Sequence, residues 1–195
     1  MAKIDFTSLT HIPQNVIQAQ KLSQKLGFEQ SCSYELGRLI RTLVAQAKAG
    51  TVAEIGSGCG VSSSWMLSGL RDDQTFISIE RNEVQHRGVK KLFEATSNAT
   101  FIQGDWQNIL KHAPFELVFV DVGVAKDHGS KKVIAATAIG GLMILDDFTP
   151  HKYWPKDWKG REDQRRARWL SHDCLVATEI LLTERNSVIL ATRVC

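Results

Sequence analysis

The 195 residues suffice for one domain with a full core, and 43% hydrophobic against 23% charged residues is the balance of a soluble globular protein. The formal net charge is a modest +3, no apolar run approaches the length of a membrane span, and the N-terminus lacks a charged-then-apolar signal pattern, so a cytoplasmic location is expected. Cys32, Cys59, Cys174 and Cys195 show no C-x-x-C spacing, which argues for free thiols and against a zinc site or a disulfide frame.

In chain order, Pro13 to Leu26 reads as a helix with Val16, Ala19, Leu22 and Leu26 on one face, inside an N-terminal extension over residues 1–33. A second helical pattern runs from Tyr34 to Ala49. Val52-Ala53-Glu54-Ile55 then leads into Gly56-Ser57-Gly58-Cys59-Gly60, and a helical pattern follows from Val61 to Leu70. This is a buried parallel strand, a tight turn and a helix start. Glycines at 56, 58 and 60 permit φ > 0 and let a ligand approach without meeting a Cβ atom. Amides at the helix start offer partial positive charge to an anionic group. The spacing G-x-G-x-G is neither the dinucleotide fingerprint G-x-G-x-x-G nor a P-loop, since no Lys follows. Glu54, just before the first glycine, would repel a pyrophosphate but suits a ligand carrying an ammonium group. Cys59 reads as a small side chain that fits the turn, ahead of a reactive one.

Phe76-Ile77-Ser78-Ile79-Glu80 is a second strand, its acid twenty residues beyond Gly60, about where nucleotide-binding α/β folds keep a ribose-binding carboxylate. A helix from Glu83 to Ala95 separates it from Thr100-Phe101-Ile102-Gln103, which runs into Gly104-Asp105-Trp106. Glu116 to Val120 ends on Asp121. After a helix from Lys131 to Ala138, Gly141 to Leu145 ends on Asp146-Asp147. Five strands thus finish with a polar or glycine-rich feature at their C-terminal ends, where open α/β sheets bind ligands. Cys174 to Leu182 and Ser187 to Val194, joined by residues 183–186, read as a closing hairpin. The alternation calls for a Rossmann-like, doubly wound, mostly parallel α/β sheet forming a single domain.

The ordered set Glu54-Ile55-Gly56-Ser57-Gly58-Cys59-Gly60, Ile77-Ser78-Ile79-Glu80-Arg81, Gln103-Gly104-Asp105-Trp106, Phe115 to Asp121 and Gly140 to Asp147 resembles the motifs of class I S-adenosylmethionine-dependent methyltransferases, most closely the catechol O-methyltransferase-like branch. The resemblance covers roughly residues 30 to 195 and implies seven strands with the last antiparallel. It also implies S-adenosylmethionine as cofactor. Glu54 would face its ammonium, directly or through water, while the amides around Ser57 to Val61 receive its carboxylate; Gly56, Gly58, Gly60, Ser62 and Asp121 belong to the same expected cofactor-binding set. Glu80, with Arg81 beside it, would hold the ribose hydroxyls. Asp105 would accept the adenine amino group and Trp106 would stack on the ring; the plainer alternatives are a helix N-cap and a packed tryptophan. In such relatives an N-terminal helix often covers the substrate side. The alternative is packing on the domain or on a second subunit, which makes a homodimer a candidate assembly.

Methyl transfer to oxygen is an in-line displacement in which the protein aligns the reactants and excludes water. The acceptor must also shed a proton, which a divalent metal promotes by stabilising the oxyanion. Asp121, Asp146 and Asp147 sit on neighbouring strand ends and offer hard oxygen ligands to Mg2+ or Ca2+, unless they merely bond local backbone. The family pattern is an Asp after the fourth strand and Asp-Asn after the fifth; here the second pair is Asp-Asp. The family's Asp-x-x-Lys becomes Asp121-Val122-Gly123-Val124-Ala125-Lys126, two places longer, and Lys126 would offset the third carboxylate. The expected catalytic residues are Asp121, Lys126 and Asp146. His128 and His151 are further candidate bases, or idle loop residues.

Residues 148–168 are the least family-like. Lys152, Lys156, Lys159, Arg161, Arg165, Arg166 and Arg168 outnumber Asp157, Glu162 and Asp163, with Tyr153, Trp154 and Trp158 interleaved. Such a segment can stack and neutralise RNA, form a lid over a small acceptor, or be a solvated helix from Glu162 to Leu170. The reading is O-methyl transfer to a small hydroxylated molecule. Alternatives are a transfer-RNA methyltransferase, a non-catalytic cofactor-binding protein, and a nicotinamide dehydrogenase, which lacks its third-glycine spacing.

Overall fold

Strands β1 (Gly50–Ile55), β2 (Gln74–Glu80), β4 (Phe115–Val120) and β5 (Thr137–Phe148) are built largely from apolar runs, because helices cover both of their faces. With β3 (Ala99–Gln103), β6 (Leu175–Leu181) and β7 (Ser187–Arg193) they form one seven-stranded sheet in the order β3-β2-β1-β4-β5-β7-β6. β7 alone runs against its neighbours, pairing Ile144 with Leu190 on β5 and Thr178 with Leu190 on β6. The computed structural model describes residues 11–29 and 31–195; residues 1–10 and Gln30 of the expected N-terminal extension lie outside the described residues.

Strand alternation sorts the core onto two faces. Val52, Phe76, Leu117, Phe119 and Ile144 pack under α2 (Tyr34–Gln46) and α3 (Val61–Gly69), where Leu36, Ile40, Val44 and Met66 meet them. Ala53, Ile55, Ile77, Val118, Val120, Met143 and Leu145 face the other way. There they pack on Ile109 and on helices carrying Val133, Ile134 and Trp169. Those elements are the 3-10 helix Trp106–His112, α6 (Ser130–Ala136) and α7 (Gln164–Leu170), while α4 (Glu83–Leu92) and α5 (Gly123–Lys126) complete the set. α1 (Gln14–Lys25) buries Val16 and Ala19 against Val61 and Trp65, so the N-terminal helix packs on the domain itself.

Two expectations change. β5 begins at Thr137, four residues early, because a register shift after Phe115 lets it pair past Gly140-Gly141. Cys174 and Cys195 are bonded to each other, leaving Cys32 and Cys59 as the free thiols. The antiparallel β6–β7 pairing brings the two ends of the hairpin together, with the Val194 amide on the Cys174 carbonyl at 2.8 Å. The expectation of four free thiols and no disulfide therefore falls. Among the described residues no helix is long and apolar enough to cross a membrane.

Candidate active site

β1 lies between β2 and β4, so chain order reverses at its C-terminal end, the place where open α/β sheets leave a crevice. A cleft of about 710 Å³ opens there. Its walls are the glycine loop, the ends of β2, β4 and β5, and a segment after α1 that includes Phe28 and Cys32.

Gly56, Gly58 and Gly60 have φ of 97°, 51° and 84°, the left-handed region the loop requires. Gly58 has a second constraint: a Cβ there would lie 3.0 Å from the Phe28 ring, which caps the loop. Its N–H donates to Glu80 Oε2 at 2.9 Å. Gly56, Ser57, Gly58 and Ser62 line the cleft. Gly60 does not; it faces α4, where a Cβ would meet Val89 at 3.2 Å, so its role is helix packing.

Glu54 is wholly buried and also off the cleft. Strand alternation turns it toward α3, where it accepts hydrogen bonds from Ser62 and Ser63 at 2.5 Å and from Ser78 at 2.6 Å. Burial pushes its carboxyl up to about 7, against the lowering effect of the three hydroxyls. The expected direct contact with a ligand gives way to positioning of Ser62, which does reach the cleft.

Glu80 faces the cleft with both oxygens anchored, one by Gly58 and the other by the Asn82 N–H at 2.8 Å. Each oxygen keeps a lone pair for an incoming hydroxyl. Arg81 lies exposed beside it. Asp105 caps the 3-10 helix, accepting from the Gln107 N–H at 2.9 Å, and it also borders the cleft. Trp106 shows one edge to the cleft while its ring is buried close against Gly129. The N-cap and the packed tryptophan are thus what the geometry shows, with both residues also bordering the cleft.

At the other end of the cleft, one carboxylate oxygen each from Asp121, Asp146 and Asp147 lie within 4.8 Å of one another. β4 and β5 are paired in parallel with Val120 opposite Leu145, which brings their terminal acids side by side. Burial and the two neighbouring carboxylates push Asp121 up to about 8, and burial also raises Asp146. Asp147 is exposed with φ of 60°, a left-handed conformation. Lys126 is buried behind the acids and off the cleft. Its Nζ donates to the Asp146 carbonyl at 2.7 Å and lies 3.9 Å from Asp147 Oδ2. Asn186, unremarked in sequence, arrives from the β6–β7 hairpin and donates to Asp146 Oδ1 at 3.5 Å. His128 is exposed away from the cleft, and His151 packs on Trp154.

The basic segment is largely spent on ion pairs. Arg165 makes a two-pronged contact with Asp127 at 2.7 and 2.6 Å. Arg166 bridges Asp163 and Glu179, Arg168 lies 3.8 Å from Asp127, and Lys152 lies 3.5 Å from Glu184. The solvated-helix expectation is corrected for these arginines, which tie α7 to α5 and β6.

Residues 53–148, about half of the chain, match the model of a methyltransferase domain family. An inferred O-methyltransferase of Mycobacterium sp. strain JLS is 34% identical over 93 residues, covering 44% of this chain and 42% of the relative. Another, from Mycolicibacterium vanbaalenii, is 31% identical over 118 residues, covering 56% and 52%. The matched stretches span about half the length of these curated relatives. Among solved structures, the O-methyltransferase TomG of Streptomyces achromogenes, in complex with SAM, aligns at a TM-score of 0.82 and 17% identity over 97% of this chain and 94% of that one. The Bacillus cereus O-methyltransferase in complex with SAH aligns at 0.80 and 16% identity, over 96% and 95%. At those identities the likeness is one of fold.

Proposed function

We propose that this chain, a member of the class I S-adenosylmethionine-dependent methyltransferase family, moves the methyl group of that cofactor to an oxygen of a small hydroxylated acceptor. The observation that carries the reading is one cleft with two chemically different ends. The glycine-loop amides and Glu80 suit an amino-acid carboxylate and a ribose diol. The three aspartates, with neighbouring oxygens, suit the place where an acceptor oxygen reacts.

The roles follow from the chain's own groups. Amides of the loop receive the carboxylate, while Glu54, which accepts the Ser62 hydroxyl, fixes the start of α3 beneath them. Glu80, fixed by two backbone amides, accepts from the diol. Asp105 and Trp106 border the place for the adenine. Phe28 and the segment around Cys32 cover the cleft and exclude water, so the reacting atoms meet in line.

The aspartates also fit a hard divalent ion such as Mg2+: three oxygen donors converge, and burial, with their mutual repulsion, raises the pKa values of Asp121 and Asp146. Asp121, Asp146 and Asp147 would hold it, and when bound it would stabilise the acceptor oxyanion. Three carboxylates, one divalent ion and Lys126 sum to zero charge, which gives the buried lysine a reason. RNA as acceptor loses part of its electrostatic support, because the Arg165, Arg166 and Arg168 guanidiniums are already paired with carboxylates.

Calorimetry with S-adenosylhomocysteine tests the cofactor end. Saturable binding is expected, and Glu80→Ala should weaken it by about 1–3 kcal/mol, the cost of lost hydrogen bonds in a partly buried site. Tight binding of a nicotinamide dinucleotide, with none of S-adenosylhomocysteine, would overturn the assignment. Turnover should vanish on chelation and return with Mg2+; undiminished turnover would remove the metal.

A further inference from the structure

A second cavity, of about 340 Å³, adjoins the cleft at Asp147. Its walls come from the end of β5, the segment that follows and the start of α7, and include Phe148, Trp154 and Trp158. Trp154 is fixed by its indole N–H to the Thr149 carbonyl at 2.9 Å, and Trp158 meets it edge-on at 6.2 Å. Trp158 remains 49% exposed, so part of its ring surface is open on the cavity wall. A site of this size with aromatic walls suits a single ring rather than a polymer.

Three guanidiniums border the cavity. Arg165 is neutralised by Asp127, and Arg166 by Asp163 and Glu179 while it covers the Phe148 and Trp154 rings. Arg161 is exposed, and among the described residues no carboxylate pairs with it. The opposing free charge is Glu162, on the same rim. Arg161 offers the planar fork that recognises a carboxylate, while Lys156 and Lys159 of the same segment add positive potential.

Building on the methyltransferase reading, we propose that Arg161 and Trp158 select the acceptor by an anionic substituent: the ring lies against Trp158, a hydroxyl points to the aspartates, and a carboxylate on the far side pairs with Arg161. Arg161 is then a specificity residue, remote from the reacting oxygen.

The test is calorimetry on the whole chain saturated with S-adenosylhomocysteine and Mg2+, using three probes that share a catechol ring: neutral catechol, anionic 3,4-dihydroxybenzoate and cationic dopamine. The anionic probe should bind about tenfold or more tighter than catechol. Arg161→Ala should erase that margin and leave catechol unchanged, Arg161→Lys should restore part of it, and Trp158→Ala should weaken both probes. Equal affinities, indifference to Arg161→Ala, failure of all three probes, or a preference for dopamine, which would hand the selection to Glu162, each overturns the proposal. S-adenosylhomocysteine binding in the same samples separates the two levels. Where it binds and discrimination is absent, the selection fails alone; where it does not bind, both fall.

Discussion

Glu54 marks what a single residue does differently from its motif. Placed just before the glycines, it invites a ligand contact, yet its side chain lies under the loop among three serines. Its carboxyl keeps a proton to about pH 7 when folded, against an ordinary value of 4.5. The folded pKa is the higher one, so the stabilisation is full below about pH 4.5 and is lost as pH rises through about 7. Thermal unfolding should therefore show a melting temperature that falls between about pH 5 and about pH 8. Glu54→Gln, which keeps a neutral acceptor for the serines, should flatten that fall. An unchanged slope would mean that the cage holds an ionised carboxylate. Asp147 is the second case: at φ of 60° only Gly, Asn and Asp are tolerated cheaply. Asp147→Asn should stay within about 0.5 kcal/mol of wild type in urea unfolding, whereas Asp147→Ala should lose about 1 kcal/mol or more. Equal stability of the two would show that the turn relaxes freely.

At the level of elements, the segment after β5 shows where sequence reading ends. Its composition shift is plain along the chain, and so is its aromatic spacing. That Arg166 serves Glu179 on β6 and Arg165 serves Asp127 before α6 is not, because those partners are 13 and 38 residues away. Arg166→Ala would remove the cationic partner of Glu179 and Asp163 and the guanidinium over the Trp154 ring. A loss of about 1.5–3 kcal/mol is expected in urea unfolding, the range for hydrogen bonds to charged groups. A loss below about 0.5 kcal/mol would mark a solvated surface pair. The hairpin gives the opposite lesson. Cys174 and Cys195 flank two strands whose antiparallel pairing was readable, so their meeting was implied by the topology; the reading stopped at the missing C-x-x-C spacing.

For the molecule as a whole, strands β1, β2, β4 and β5 were legible because continuous apolar runs end on acids, and burial on both faces demands such runs. The acids of the cleft were legible for the same reason: parallel strands deliver their C-terminal residues to one edge. Asn186 was not, since it reaches Asp146 only through the β5–β7 register, 40 residues on. Gly60 and Lys126 were placed in the right loops but on the wrong side of them, a matter of side-chain direction that spacing alone does not fix. The proposed function joins these pieces in one cleft, assigning a methyl donor to the glycine loop and an acceptor oxygen to the aspartates. The most direct test supplies S-adenosylmethionine with an isotopically labelled methyl group, Mg2+ and 3,4-dihydroxybenzoate to the wild type and to Asp146→Ala, and reads the label on the acceptor by mass spectrometry. The account predicts labelled methoxy product from the wild type, and none from Asp146→Ala although that variant still binds S-adenosylhomocysteine. Labelled product formed by Asp146→Ala at the wild-type rate would contradict it.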